Sequence, residues 1–234
     1  MTQTRRERLR EATYEEIKSI AQRQMQEQGA ASLSLRGIAA EMGMTAPALY
    51  RYFASRDDLV TVLIADAYNS QADAIVATDK ASAGLTYGAR FLALALTFRQ
   101  WGLDHPAQFA LIYGSPIPGY HAPVEVTTPA ALRANLVFIR LIETAWAEGR
   151  IYKETAYTTL RIEGFENLAN WLKTYQLEMP LSLYLEALAG QGMMHGLVSL
   201  ELNGQYHYMG VDQHEFFRLH IVAFLKNLGL AVEQ

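Results

Sequence analysis

Apolar side chains recur along this chain at helical spacing, in stripes separated by Gly, Pro and short polar turns. Leu9, Ala12, Ile17, Ile20, Ala21 and Met25 follow one face of a helix that ends at Gly29. A shorter stripe, Leu35, Ile38, Ala39 and Met42, falls at i, i+3, i+4 and i+7, with Ser34 able to cap its start and Gly43 placed to end it. Beyond Met44, Thr45 offers a second cap and Pro47 lies in the first turn, where its missing N–H breaks no intrahelical bond. At about 100° per residue, Leu49 and Phe53 point inward, Pro47, Ala48 and Arg51 point away, and Tyr50 and Tyr52 flank the outer face. Two short helices joined by a few residues including a glycine make a helix-turn-helix. The small centre of the outer face lets backbone approach base edges, and its rim carries a guanidinium and two phenols suited to bases and phosphates.

The remaining pattern predicts a larger helical body, so the fold class is all-α. Ser55 and Asp58 form a capping signal for a helix to about Thr78, burying Leu59, Val60, Leu63, Ile64, Ala67, Tyr68 and Ile75. A turn over 78–84 leads to Leu85–Leu103, apolar nearly all round and so placed inside a bundle. Pro106 opens a short helix through Tyr113. Gly114, Pro116, Pro118, Gly119, Pro123 and Pro129 then predict a long non-helical segment, expected to cover or gate a pocket. Further helices are expected over Thr128–Ala147, Thr155–Tyr175, Pro180–Leu202 and, capped by Asp212, Gln213–Leu228. Ala189, Gly192, Gly196 and Ser199 share one side of the penultimate helix, where interior glycines are worth their cost only at a close helix contact. The last helix carries the stripe Phe217, Ile221, Phe224, Leu225 and Leu228, with Phe216, Leu219 and Val222 extending its apolar surface. Two apolar faces predict one internal contact and one contact with a twin subunit, and Gly192, Gly196, Phe217, Ile221 and Phe224 are the residues expected at that homodimer interface.

Composition adjusts this picture in two places. The 234 residues carry a net charge of −4, yet residues 1–56 hold +3 and the remainder −7, the asymmetry of a molecule that touches phosphate at one end. Arg5, Arg6, Arg8 and Arg10 open the first helix, where they can reach a neighbouring phosphate or stand as a solvated arm. Cysteine is absent, which removes disulfides and zinc-thiolate sites and suits a reducing compartment. The basic N-terminus has no apolar run behind it, and no stretch approaches a membrane span, so a cytoplasmic protein without membrane contact is expected.

The run Gly29, Leu33, Ser34, Arg36, Ile38-Ala39, Gly43, Thr45, Leu49-Tyr50 and Phe53, followed by an acidic and apolar stretch from Asp57, resembles the TetR family of transcriptional regulators. The resemblance implies a three-helix DNA-binding head over 1–56 and a helical ligand-binding and dimerisation domain over 57–234, with double-stranded DNA, a palindromic operator, as partner. It also implies that Ser34, Arg36 and Thr45 approach phosphates or groove edges, that Ala46, Pro47, Ala48 and Arg51 face bases, that Tyr50 and Tyr52 meet backbone or bases, and that Arg56 contacts a phosphate. The segment HPAQFALIYG and the Pro-rich loop after it resemble a subgroup named for a Trp-His-Gly motif; here His195-Gly196 is present and Gln191 stands where the Trp is expected.

Trp101, Phe109, Tyr113, Trp146 and Trp171 are candidates for a pocket that takes a small apolar or aromatic effector, though each can equally serve the core. The mechanism expected is a homodimeric repressor released from its operator when that effector binds. Two alternatives stand beside it: an all-α enzyme, and a DNA-binding protein with no ligand. No nucleophile elbow, phosphate loop, dinucleotide fingerprint or metal-ligand spacing is present, so no cofactor, metal or catalytic residue is expected.

Overall fold

The computed structural model describes residues 4–152, 156–159 and 163–232. Among them all regular structure is helical: α1 (Arg5–Gln28), α2 (Leu35–Glu41), α3 (Ala46–Leu49), α4 (Arg56–Ala81), α5 (Tyr87–Asp104), α6 (Pro106–Tyr113), α7 (Val124–Ala147), α8 (Glu166–Thr174), α9 (Leu181–Leu202) and α10 (Gln213–Asn227), with short 3₁₀ turns between some of them. The all-α expectation from helical spacing is met. Two compact units emerge, Met1–Ser70 with His105–Ala131 and Gln71–Asp104 with Leu132–Gln234, and α4 and α7 each contribute residues to both.

In the first unit α1 begins on a reciprocal cap, in which Glu7 N–H donates to Thr4 Oγ1 (3.3 Å) and Thr4 N–H donates to the Glu7 carboxylate (2.8 Å). Ile17, Ile20, Ala21 and Met25 share a core with Leu35, Ile38 and Ala39 of α2, Leu49 of α3 and Leu59, Val60 and Leu63 of α4. Each large side chain fully buried there contributes about 1.5–3 kcal/mol. Leu9, counted in the same stripe, is 69% exposed, so α1 runs past its core at the N-terminal end. Tyr14 stacks on Phe53 with centroids 4.9 Å apart, and Lys18 donates to Asp66 at 2.6 Å, tying α1 to the turn after α3 and to α4.

The non-helical segment after α6 is shorter than predicted because α7 starts at Val124 and carries Pro129 in its second turn. A proline there forfeits one intrahelical bond, and the Pro123 carbonyl accepts from Val126 N–H (3.1 Å) and Thr127 N–H (3.0 Å) to hold the opening turn. Within the segment, Ile117 joins the first unit's core and the Tyr120 hydroxyl lies 2.9 Å from Thr61 Oγ1.

The core of the second unit is built from Phe91, Leu94 and Phe98 of α5, Phe138, Ile139 and Ile142 of α7, Met194 and Val198 of α9, and Phe217, Ile221 and Leu225 of α10. The Phe91 ring meets Phe138 edge-on at 5.2 Å and Phe224 at 5.7 Å. Arg99 of α5 reaches Glu201 of α9 through two bonds, Nε at 2.8 Å and Nη2 at 2.5 Å, and both side chains are more than nine-tenths buried.

Two expectations are corrected here. The helix predicted over Thr155–Tyr175 begins at a residue outside the described set and is otherwise broken: Ala156–Thr159 is a 3₁₀ turn, Gly164 has φ +78°, and only Glu166–Thr174 is α-helical. The amphipathic spacing runs straight through a residue whose conformation ends a helix. The second correction concerns the expected subunit interface. Phe217, Ile221 and Phe224 are 1%, 0% and 9% exposed and belong to the protomer's own core. The close helix contact is made at Gly190, where a Cβ would stand 2.6 Å from Phe224 Cζ, whereas a Cβ on Gly192 or Gly196 would meet nothing within 4 Å.

Candidate nucleic-acid interface

The helix-turn-helix is set up by local bonds. Ser34 Oγ accepts from Gly37 N–H at 3.3 Å and starts α2, and Gly43, at φ +63°, turns the chain toward α3. Thr45 occupies the cap position of α3 but makes no side-chain bond to it; its carbonyl accepts from Ala48 N–H at 2.9 Å. α3 is shorter than the helix projected through Phe53, because the Leu49 carbonyl accepts from Tyr52 N–H at 2.8 Å and closes a tighter turn.

Leu49 and Phe53, 0% and 3% exposed, anchor this turn from inside. On the other side Pro47, Tyr50 and Arg51 are exposed, with Ala46 and Ala48 half-buried between them. Ser34, Arg36 and Thr45 are also exposed. Tyr52 differs from the projection: it is half-buried and packs on the core. Arg6 and Arg10 of α1 line an open groove together with Arg51 and Tyr52, a wall that carries three guanidinium groups against the single carboxylate of Glu7. An arrangement of this sign and shape fits a phosphate backbone beside a base-facing helix.

Arg56 does different work from the phosphate contact expected of it. Its Nε donates to the Leu33 carbonyl at 3.0 Å, and Nη2 donates to the Ala30 and Ala31 carbonyls at 3.1 and 3.3 Å. Nη1 lies 3.5 Å from Asp57. The side chain staples the turn before α2 to the start of α4, a fork geometry for which lysine would be a poor substitute.

A small cavity of about 20 Å³ lies within the second unit. Its walls are Phe91 and Phe98 of α5, Ala134, Asn135, Phe138, Ile139 and Ile142 of α7, and Ala187, Leu188, Gln191, Met194 and His195 of α9, with Gln71 from α4. Gln191 Nε2 donates to Asn135 Oδ1 at 2.8 Å, and the His195 ring stacks on Phe98 at 5.2 Å. Burial lowers the His195 pKa to about 4, so the ring is neutral at pH 7.

None of the five aromatic residues expected to line a pocket is in this wall. Trp101 is 4% exposed core, Phe109 packs on Tyr113 (4.9 Å) in the first unit, Trp146 is half-buried near the end of α7, and Trp171 rests on Tyr175 (4.6 Å) and Tyr184 (5.5 Å). Size and aromaticity mark those residues, but packing uses them elsewhere. The one advance sign of the cavity is Gln191, a polar residue standing in an apolar helix where the subgroup motif has Trp.

Among the described residues no cluster of three or more His, Cys, Asp or Glu is arranged to hold a metal, and no helix is long and apolar enough to cross a membrane.

Comparison with known proteins converges on one family. A profile described as the Tetracyclin repressor-like C-terminal domain matches residues 91–224, and one described as Bacterial regulatory proteins, tetR family, matches residues 18–63. The chain is 40% identical over 147 residues to the HTH-type transcriptional regulators Rv1816 of Mycobacterium tuberculosis and Mb1846 of Mycobacterium bovis. It spans 63% of the length of these curated relatives, and the match takes in 63% of the chain itself. Among solved structures, one described as a regulatory protein, SCO4313, is 37% identical with a TM-score of 0.75, covering 95% of this chain and 100% of its own. A tetR-family regulatory protein from Rhodococcus RHA1 shares the fold at 17% identity, with a TM-score of 0.64 over 93% of this chain and 97% of its own. The family is one of regulators rather than enzymes. With both its N-terminal helix-turn-helix and most of its body matched, the chain belongs to the TetR family of transcriptional regulators.

Proposed function

We propose that this chain is a homodimeric transcriptional repressor that holds a roughly palindromic operator through two copies of α3 and releases it when a small apolar or aromatic molecule occupies the body. The observation that carries the reading is the outward face of α3, where exposed Pro47, Tyr50 and Arg51 flank half-buried Ala46 and Ala48 beside a groove lined by Arg6 and Arg10. Residues 1–56 form the DNA-binding head and 57–234 the effector-binding and dimerising body. Ser34, Arg36 and Thr45 stand at the edge of the DNA contact, and the two heads occupy successive major grooves about 34–36 Å apart. A chromosomal operator puts the protein in the cytoplasm.

The outward face of α9 and α10 supports the dimer. Gly192 is exposed with open space before it, and Leu200 and Leu219 are 41% and 51% exposed, an apolar surface that a second copy can cover. Gln71 in the cavity wall belongs to α4, the helix whose first half supplies Leu59, Val60 and Leu63 to the first unit's core, so cavity occupancy and head packing share one element. A coupling of about 1–3 kcal/mol between the two sites lowers DNA affinity roughly 5- to 150-fold, and DNA weakens effector binding by the same factor.

Fluorescence anisotropy on a labelled fragment of the gene's own upstream DNA tests the reading. Tight binding that weakens steeply with added salt is expected, and a flat salt response overturns it. Arg51→Ala or Tyr50→Ala is expected to cost on the order of 1–3 kcal/mol of specific affinity; unchanged binding removes those residues from the site.

A further inference from the structure

The composition of the cavity wall limits what can occupy it. No Lys, Arg, Asp or Glu is among the lining residues. The buried ion pair of the same unit, Arg99 with Glu201, is closed on itself through two bonds and has no charge to lend. A buried charge without a partner costs several kcal/mol, so a carboxylate or an ammonium group brought into this space finds nothing to offset its desolvation.

The polar groups present are neutral ones, and they are gathered together. Asn135 of α7 and Gln191 of α9 are joined by one bond at 2.8 Å, and His195 follows Gln191 one turn along α9. A primary amide offers two N–H donors and a carbonyl with two lone pairs, so the joined pair keeps both donor and acceptor capacity for a third group. Neutral His195, its ring stacked on Phe98, adds an uncharged imidazole rather than a cation. The rest of the wall includes Phe91, Phe138 and that same Phe98, and such aromatic surfaces suit a flat apolar body.

Resting on the reading of the chain as an effector-released repressor, we propose that the cavity takes an uncharged aromatic molecule with a single polar end. That end is a carboxamide or another neutral group that both donates and accepts, and it binds at the Asn135, Gln191 and His195 corner. Carboxylates and amines of the same size and shape are refused.

The size of the cavity adds a second feature. About 20 Å³ holds a water molecule, against ~150 Å³ for an engineered cavity that takes a benzene ring. A ring therefore enters by moving the wall, and Met194, unbranched and adaptable, is the side chain able to move at least cost. The filled and empty states then differ in packing, which is the differential interaction a ligand needs to shift an equilibrium.

The test uses the full chain and four matched probes: benzamide, benzoate, benzylamine and ethylbenzene. Isothermal titration measures binding, and anisotropy on the upstream DNA fragment is run on the same preparation. Benzamide is expected to bind at least tenfold tighter than benzoate or benzylamine. In Gln191→Leu the advantage of benzamide over ethylbenzene is expected to fall to within about threefold, while ethylbenzene still binds. Ala187→Phe, which fills the space, is expected to abolish binding of both, with a circular-dichroism melt reporting whether it folds. Should it unfold, the Gln191→Leu comparison decides alone. Benzoate or benzylamine binding as tightly as benzamide overturns the proposal, as does an unchanged benzamide preference in Gln191→Leu, or no binding by any probe. If the probes fail and DNA binding persists, the ligand class falls and the repressor reading stands; if DNA binding is absent while probe selectivity holds, the repressor reading falls.

Discussion

The outer face of α3 and the cavity of the second unit, the two sites proposed for recognition, are built in opposite ways. The first is open, with small residues at its centre and guanidinium groups at its rim, and its large apolar side chains, Leu49 and Phe53, turned inward to anchor it. The second is recessed and neutral, walled in part by phenylalanines and holding its polar groups as amides and an uncharged imidazole. Solvent explains the contrast. An exposed charge keeps its hydration and is free to exchange a counterion for a phosphate, whereas a buried one must be matched or discarded. At Arg99 and Glu201 the second unit buries both signs of charge together, in bidentate contact.

That contrast can be broken at four points, in descending size of effect. Arg99→Met strands the Glu201 carboxylate and is expected to destabilise by about 3–5 kcal/mol, while Arg99→Met with Glu201→Leu returns close to the parent. Chemical denaturation measures both, and a double variant no more stable than the single one contradicts the contrast. His195 comes next. Its folded pKa, about 4, lies below the ordinary 6.5, so the unfolded chain binds more protons between those values and stability falls as pH drops from about 6.5 towards 4. The loss is on the order of 2–3 kcal/mol, and His195→Gln should melt with a correspondingly flatter pH profile.

In the head, Ser34→Ala removes the bond to Gly37 N–H and is expected to cost about 0.5–2 kcal/mol, readable as a lowered melting temperature. Smallest in stability is Arg6→Ala with Arg10→Ala, both exposed. Folding should be unchanged, while the slope of log affinity against log salt becomes shallower by about 0.9 for each phosphate that is no longer neutralised. An unchanged slope would make these arginines a solvated arm.

The head is largely legible from sequence because its signals are local. Ser34, Gly43 and Pro47 each act within one turn of their own position, and the stripe Leu35, Ile38 and Ala39 is buried as its spacing predicts. The body is less so. Asn135 and Gln191 are 56 positions apart in sequence and meet only through packing, and nothing in the spacing of Trp101 or Trp171 says whether an indole faces a void or fills one. The α10 stripe reads correctly as apolar but belongs to the protomer's own core rather than to a subunit contact, since periodicity marks a buried face without saying what buries it. Arg56 shows the same limit in the head: its charge is visible, but the three carbonyls that receive its hydrogen bonds come from a turn more than twenty residues earlier.

The brevity of α3 has an informational consequence. Four residues advance about 6 Å along a helix axis, less than two base-pair steps of duplex DNA. A single head can then distinguish only a short word, and even a word of roughly four letters would recur by chance about every 256 positions, far too often in a genome offering some 10⁶ or more competing sites. Doubling the word squares its rarity, so the shortness of this one turn of backbone makes address length the limiting resource, which the proposed pairing of two heads would supply.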